Sequence, residues 1–338
     1  MERIWRGEQA HGVEGYLYHS YGDEKHLRHA VASVITLRRY DQSRPVVLAS
    51  TRSHIKSLKS SGLDVLFDEL ITLAPEHCSI TGFKHHLHIY MPFERTLFLD
   101  SDLVWCKDPD SLWTSFSVYP FTITGLEVSD NFFGASKHIG VLADILLQRR
   151  KRTLRQFGLS HLPRVQSGMI YAGDLHLTRT VCLQAAEYFQ RRGETHFHSR
   201  LQESGRTEES CEWSMAMAMA RLELPVYPWL LGENSPQLDF IDHYTEYDCD
   251  FRTVSSLYYG DRFVYSFRGL QAEWLRRFLV SLFSLVPGKG DHQWVTPYAL
   301  HFGWLHQKHV YSRFADRTWH ELREKQGSPL PNYLINPS

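Results

Sequence analysis

The sequence predicts an α/β fold in which helices cover both faces of a mostly parallel central sheet. Short runs of β-branched and aromatic residues alternate with segments of helical apolar period. The run Arg95-Thr96-Leu97-Phe98-Leu99 has almost no polar interruption, as expected of a strand buried on both faces. A chain of 338 residues, 43% hydrophobic and 22% charged, is long enough for one large core and excludes a disordered, fibrous or repeat protein.

In chain order, residues 15–21 read as the first strand, and Leu27, Ala30, Val31, Val34 and Leu37 mark one face of the helix that follows. Residues 45–50 form a second strand, and a helix passes Ile55 and Leu58 before the breaker Gly62. Residues 65–67 and 70–73 are short strand candidates. A helix over 83–90 stops ahead of Pro92, which restricts the residue before it. The strand 95–99 is central, with Asp100 at its carboxyl end, where open α/β sheets place their ligands. Residues 121–125 form another strand. A helix over 139–157 carries Arg149, Arg150, Lys151, Arg152 and Arg155, which read as a solvated face or, alternatively, as a contact for an anionic acceptor or membrane. Residues 165–171 form a strand leading into an amphipathic helix over 175–189. The polar stretch 192–210 predicts a surface loop or flap, followed by a helix over 211–222 and extended chain over 224–229. Beyond 230 the pattern weakens to an edge strand at 263–268, a helix at 274–285 and helical stretches over 298–325.

Thirty-seven basic against thirty-eight acidic side chains give a charge of -1, so no global field draws in nucleic acid. Cys78, Cys106, Cys182, Cys211 and Cys249 form no CxxC pair and no zinc spacing. An odd, scattered set with no secretory leader predicts reduced thiols and a cytoplasmic protein. No apolar run reaches the ~18 residues of a membrane-spanning helix, which leaves peripheral membrane contact open.

The chemistry centres on Asp100-Ser101-Asp102. Two carboxylates separated by one residue, at the end of a buried strand, can reach one cation, and hard divalent ions prefer such oxygen ligands. A cation held there neutralises charge on a departing diphosphate. By itself the pair leaves other metal-handling α/β enzymes open.

The stretch from Phe83-Lys84 through Pro92-Phe93-Glu94-Arg95-Thr96-Leu97-Phe98-Leu99-Asp100-Ser101-Asp102-Leu103-Val104 to Asp108-Pro109-Asp110-Ser111-Leu112-Trp113 resembles the central signature of glycosyltransferase family eight, the glycogenin-like and lipopolysaccharide galactosyltransferase-like enzymes. The resemblance implies a GT-A fold, a single Rossmann-like domain with a divergent C-terminal acceptor-side region. It also implies a UDP-sugar donor, Mn²⁺ with Mg²⁺ as the alternative, and transfer of a hexosyl group with retention. Residues 12–230 are then the nucleotide-sugar binding and catalytic core, and 231–330 the acceptor side that completes the metal site. Carried over by position, Asp100 contacts the donor and metal, Asp102 is the firmer metal ligand, and Lys84 approaches the donor.

The segment 16–23 resembles the family's opening strand and loop, which implies stacking by Tyr21, or by Tyr18, and polar donor contacts from Ser20 or His19. Gln166-Ser167-Gly168 resembles the Asn-Ser/Ala-Gly segment under the donor sugar, with Gln166 in place of asparagine, so the sugar stays open. Glu208-Glu209-Ser210-Cys211-Glu212-Trp213 resembles the acidic segment beside the transferred sugar. Glu212 is the first candidate there, Glu209 the second, and a helix cap is the alternative role. Leu300-His301-Phe302-Gly303-Trp304 resembles the C-terminal histidine-glycine element, with altered spacing and no Lys-Pro-Trp after the glycine. His301 is accordingly the expected third metal ligand, with His306 and His309 as rivals. Tyr227, Trp229, Trp274 and Trp304 are candidate platforms for an acceptor, be it glycan, lipid-linked, protein or small molecule. Two other readings compete: a glycosyltransferase-like binding protein without turnover, and a sugar nucleotidyltransferase. Against the latter, Gly15 and Gly22 stand isolated, with no glycine-rich phosphate loop.

Overall fold

A computed structural model of the chain describes residues 12–135, 139–203, 205–260, 267, 270–304 and 306–324. The elements run β1 (Glu14–Ser20), α1 (Glu24–Arg38), β2 (Val46–Ser50), α2 (Arg52–Ser60), β3 (Glu69–Thr72), α3 (Ile80–Lys84), α4 (Leu87–Tyr90), β4 (Arg95–Leu99), β5 (Leu103–Trp105) and α5 (Asp110–Phe116). They continue with β6 (Phe121–Leu126), α6 (Ile139–Leu146), α7 (Arg149–Gln156), β7 (Arg164–Ala172), α8 (Leu175–Gln190), α9 (Glu212–Arg221) and β8 (Tyr227–Pro228). The last part holds β9 (Leu238–Asp239), β10 (Thr245–Tyr247), β11 (Val254–Tyr259), α10 (Glu273–Ser284), β12 (His292–Val295), β13 (Ala299–His301) and α11 (Lys308–Glu324).

Seven strands form the main sheet in the order β3-β2-β1-β4-β7-β6-β8, mostly parallel, with β7 antiparallel to both neighbours. Alternation along β1 explains its unbroken apolar run. Tyr16 and Tyr18 enter the layer that contains Val31 and Val34 of α1, and Leu17 enters the opposite layer with Val181 of α8 and Met215 of α9. The central placement expected for 95–99 holds, since β4 lies between β1 and β7.

Three local expectations change, and a fourth is not reached by the described residues. Residues 65–67 are not a strand, because the chain turns through Asp64–Leu66 in a 3-10 helix and sends Leu66 and Phe67 into the same apolar layer, which a pleat cannot do. The helix expected over 83–90 breaks into α3 and α4. The His86 ring hydrogen-bonds the Gly82 carbonyl at 2.7 Å, the acceptor a continuous helix would give to the His86 amide, and that amide turns to Phe83 instead. The helix expected over 139–157 breaks at Gln148, which adopts φ +50° and lets Arg149 reach back to the buried Asp144 at 3.1 Å. The edge strand expected at 263–268 falls outside the described residues, apart from Phe267. Among the described residues, no helix is long and apolar enough to cross a membrane.

Asp41 pins the end of α1 to β1. Its carboxylate accepts hydrogen bonds from the Tyr16 hydroxyl at 2.6 Å, from Ser43 and from Arg44, while the Trp113 indole donates to Tyr16 at 2.8 Å. Burial acts upward on the Asp41 pKa, but these donors bring it from 3.8 down to about 2. A depressed folded-state pKa stabilises above the unfolded value and loses that stability as pH falls through the folded one. Urea denaturation is expected to show Asp41→Asn less stable by about 2 kcal/mol at pH 7, with the gap to wild type narrowing as pH falls from 4 towards 2. A gap that stays constant over that range would assign the loss to packing rather than to the carboxylate.

Candidate active site

Backbone pairing alone brings the site together. Because β7 is antiparallel to β4, its first residues lie beside the carboxyl end of β4. Leu99 faces Met169, and the Asp100 amide donates to the Gly168 carbonyl at 2.9 Å. Beyond Asp102 the chain enters β5, the first strand of a small sheet ordered β5-β13-β9. In its register His301 faces Leu103 on one side and Asp239 on the other, so Asp102, His301 and Asp239 meet at one end.

Asp100, Asp102 and His301 each offer a ligand atom, and these atoms lie within 4.8 Å of one another. The two carboxylates are separately compensated. Lys84, 3% exposed, donates from Nζ to Asp100 at 2.8 Å and to the carbonyl and hydroxyl of Ser167 at 2.9 and 3.0 Å. Lys308 donates to Asp102 at 2.7 Å. Burial acts upward on both carboxyl pKa values. Lys308 and His301 overcome it at Asp102 and hold that group well below the usual carboxylate range, whereas at Asp100 Lys84 does not, and the pKa stays raised.

Burial pulls the His301 pKa down, but Asp102 and Asp239 outweigh it and raise it. Its Nδ1 lies 3.0 Å from Asp239 Oδ1, and its Nε2 faces Asp102 Oδ1 at 3.6 Å, too far for a hydrogen bond. Asp239 also accepts from Gln166 Nε2 at 2.6 Å and from the Trp304 indole at 3.1 Å. An imidazole tethered through Nδ1 keeps Nε2 for a metal. Two carboxylates and one such nitrogen form a donor set that fits Mn²⁺ or Mg²⁺. Gly303 makes room for the ring, and Gly168 for Gln237 beside it. A Cβ on Gly303 would sit 2.6 Å from His301 Cε1, and one on Gly168 would sit 2.8 Å from Gln237 Oε1 and 3.4 Å from His301 Nε2.

These groups line one part of a cavity of about 350 Å³, together with Gln166, Ser167 and Glu212. Glu212 opens α9 and pairs with Arg200 at 3.1 Å. Trp229 and Trp304 also line the cavity, whereas Tyr227 packs against Phe116 in the core and Trp274 lies exposed on α10. Ser20 and Tyr21 are not on the cavity wall. The buried Ser20 hydroxyl is 2.8 Å from His54 Nδ1, and the Tyr21 hydroxyl donates to Glu208 at 2.7 Å. His19 stacks on Phe83 at 4.5 Å, and Tyr18 is fully buried. Glu209 also turns away from the cavity, to Arg192, Ser199 and the Arg200 amide. His301, rather than His306 or His309, joins the carboxylates.

Sequence reasoning missed Asp239 and Lys308, and it missed that the 192–210 loop supplies His198, Arg200, Glu203 and Arg206 to the cavity wall. A signal for Asp239 was present, since an acid between Leu238 and Phe240 repeats the pattern of Asp100 after Leu99.

No protein-family model matches the chain, and no curated protein matches it by sequence. Among solved structures, the chain is similar to the galactosyltransferase LgtC in complex with donor and acceptor sugar analogs, at 10% identity and a TM-score of 0.50, over 95% of this chain and 99% of that one. It is also similar to the glycosyltransferase GlyE of Streptococcus pneumoniae, at 11% identity and a TM-score of 0.46, over 93% of this chain and 63% of that one. For mouse xyloside xylosyltransferase 1 the identity is 14% and the TM-score 0.44, over 69% and 89%. The likeness to LgtC extends over nearly the whole of both chains, and with the strand order above it establishes that this chain has the GT-A fold.

Proposed function

We propose that the protein is a metal-dependent glycosyltransferase that moves a hexosyl group from a UDP-sugar to an acceptor hydroxyl with retention. One observation carries the reading: Asp100, Asp102 and His301 converge at a cavity whose wall also presents the ammonium groups of Lys84 and Lys308. Carboxylates and an imidazole suit a divalent cation, and two lysines suit a diphosphate.

In this reading Asp100, Asp102 and His301 hold Mn²⁺ or Mg²⁺, and Asp239 positions His301. When bound, the cation supplies Lewis-acid neutralisation of the diphosphate. Lys84 and Lys308 place further positive charge where the bond from the anomeric carbon to the phosphate oxygen breaks. The acceptor oxygen bonds to that carbon on the face being vacated, and its proton passes to the departing phosphate oxygen. Gln166 and Glu212 orient the donor sugar, while Ser167 and Gly168 form the floor beneath it. We assign no covalent nucleophile. Tyr21 and Ser20 lie off the wall of this cavity, their hydroxyls held by Glu208 and His54, so neither is given a donor contact in this reading. Residues 12–230 supply the nucleotide-sugar core, and 231–330 supply the acceptor side together with His301, which completes the metal site. Five free thiols agree with a cytoplasmic setting.

The test is calorimetric titration of UDP and a panel of UDP-sugars with and without Mn²⁺. The expected result is binding that requires the metal, with one sugar preferred. Folded protein that binds no nucleotide under either condition would overturn the proposal.

A further inference from the structure

Helix α6 turns apolar side chains to solvent and a carboxylate inward, and α7 follows it with a run of cations. In α6, Val141 and Asp144 face inward, whereas Leu142, Ile145 and Leu146, spaced i, i+3 and i+4, face solvent, and Leu147 beyond the helix is exposed as well. Leu146 is 82% exposed. After the break at Gln148, α7 packs Arg149, Arg150, Lys151, Arg152 and Arg155 into eight residues with no acid among them. Like charges three and four apart destabilise a helix, and cations in its first turn oppose the helix dipole.

Arg149 is compensated by Asp144, and Arg150 by Ser129 and the Asp130 carbonyl. Among the described residues, Lys151, Arg152 and Arg155 have no acidic partner and are exposed. The contacts of Arg150 also tie α7 to the segment that carries Phe132, which is 68% exposed and lines the cavity.

We propose that α6 and α7 form a docking face for an anionic lipid bilayer, with the leucines entering the acyl boundary and the cations of α7 meeting the headgroups. Exposed aliphatic residues beside unpaired cations match both layers of a membrane interface. A polynucleotide would use the cations alone, and α6 and α7 offer no exposed aromatic ring for stacking. Among the described residues, α10 presents Trp274 and Phe278 without a cationic cluster on the helix, since Arg276 is buried and Arg277 is paired with Glu273. The membrane face stands independently of the transfer reading. Only its corollary, that the acceptor is presented at a bilayer surface beside the cavity, rests on it.

The experiment is sedimentation of the full chain, without metal or donor, on vesicles of phosphatidylcholine and on vesicles of equal parts phosphatidylcholine and phosphatidylglycerol. Binding is expected on the mixed vesicles only, weakening as salt shortens the screening length. The triple variant Lys151→Gln, Arg152→Gln, Arg155→Gln is expected to bind at least ~10-fold more weakly, and so is Leu142→Ser with Leu146→Ser. Neutralising the exposed Lys25, Lys56 and Lys59 instead, an equal change in net charge, is expected to leave binding in place. All five positions on the docking face are exposed, so the variants should fold. Wild type that ignores the mixed vesicles, equal losses in the two charge variants, or capture by heparin without vesicle binding would each overturn the proposal. None of these outcomes bears on UDP-sugar binding.

Discussion

Asp102→Asn is expected to abolish measurable Mn²⁺ binding and to lower sugar transfer about a thousandfold, corresponding to ~4 kcal/mol of transition-state stabilisation. The variant keeps its shape and its acceptor oxygen but loses the charge that the surroundings hold most firmly in the ionised form. By the linkage argued for Asp41, the depressed carboxyl pKa contributes stability at pH 7, so the variant is expected to fold but to be less stable, with Lys308 losing its partner. Manganese titration followed by electron paramagnetic resonance, with denaturation of the same samples, separates the two effects. Mn²⁺ affinity unchanged in a folded variant would move the metal site away from Asp102. Loss of affinity only through unfolding would make Asp102 structural.

Lys84→Met is expected to act on stability as well as on donor binding. The ammonium is almost fully buried and meets Asp100 and two Ser167 acceptors, so its removal strands a carboxylate that is only partly open to the cavity and two further polar atoms. Breaking a fully buried pair from one side costs about 3–5 kcal/mol, and with Asp100 partly exposed the loss is expected at the lower end of that range. Adding Asp100→Asn removes the stranded charge and is expected to recover much of that loss, while UDP-sugar binding stays lost because both proposed donor contacts are gone. A double-mutant cycle by urea denaturation measures this. A double variant no more stable than Lys84→Met would show that the cost lies in the Ser167 contacts rather than in the charge.

How much of this was legible in the sequence depended on range. The strand 95–99, the carboxylates after it and the Gln166-Ser167-Gly168 segment carry local patterns, and the structure sets them side by side. His301 was singled out despite its altered spacing, because a histidine shortly before a glycine near the C-terminal end still resembles the histidine-glycine element. Asp239 escaped because β9 is two residues long, too short for any period, and its place is fixed only by pairing with β13, 62 residues on. Lys308 escaped for a related reason: its partner lies 206 residues earlier, and nothing in the local sequence aims a residue in the first turn of α11 at Asp102. The splits at His86 and Gln148 were hidden because side-chain competition for a carbonyl and a single left-handed residue leave the apolar period on either side unchanged.

The three-stranded sheet β5-β13-β9 has a consequence for the timing of maturation. Its first strand leaves the ribosome early and its central strand nearly two hundred residues later. The main sheet draws on strands up to Pro228, while the apolar layer against α1 is completed by Tyr298, Ala299, Trp319 and Leu322, so a nascent chain can pair the main sheet while β5 still lacks its partner and that layer is still open. Until β13 inserts, the carboxylates have neither imidazole nor tether. Unfinished chains therefore carry a paired main sheet without its convergent cluster, and the same C-terminal segment that fills the last of the core also delivers His301 and Lys308 to the two carboxylates.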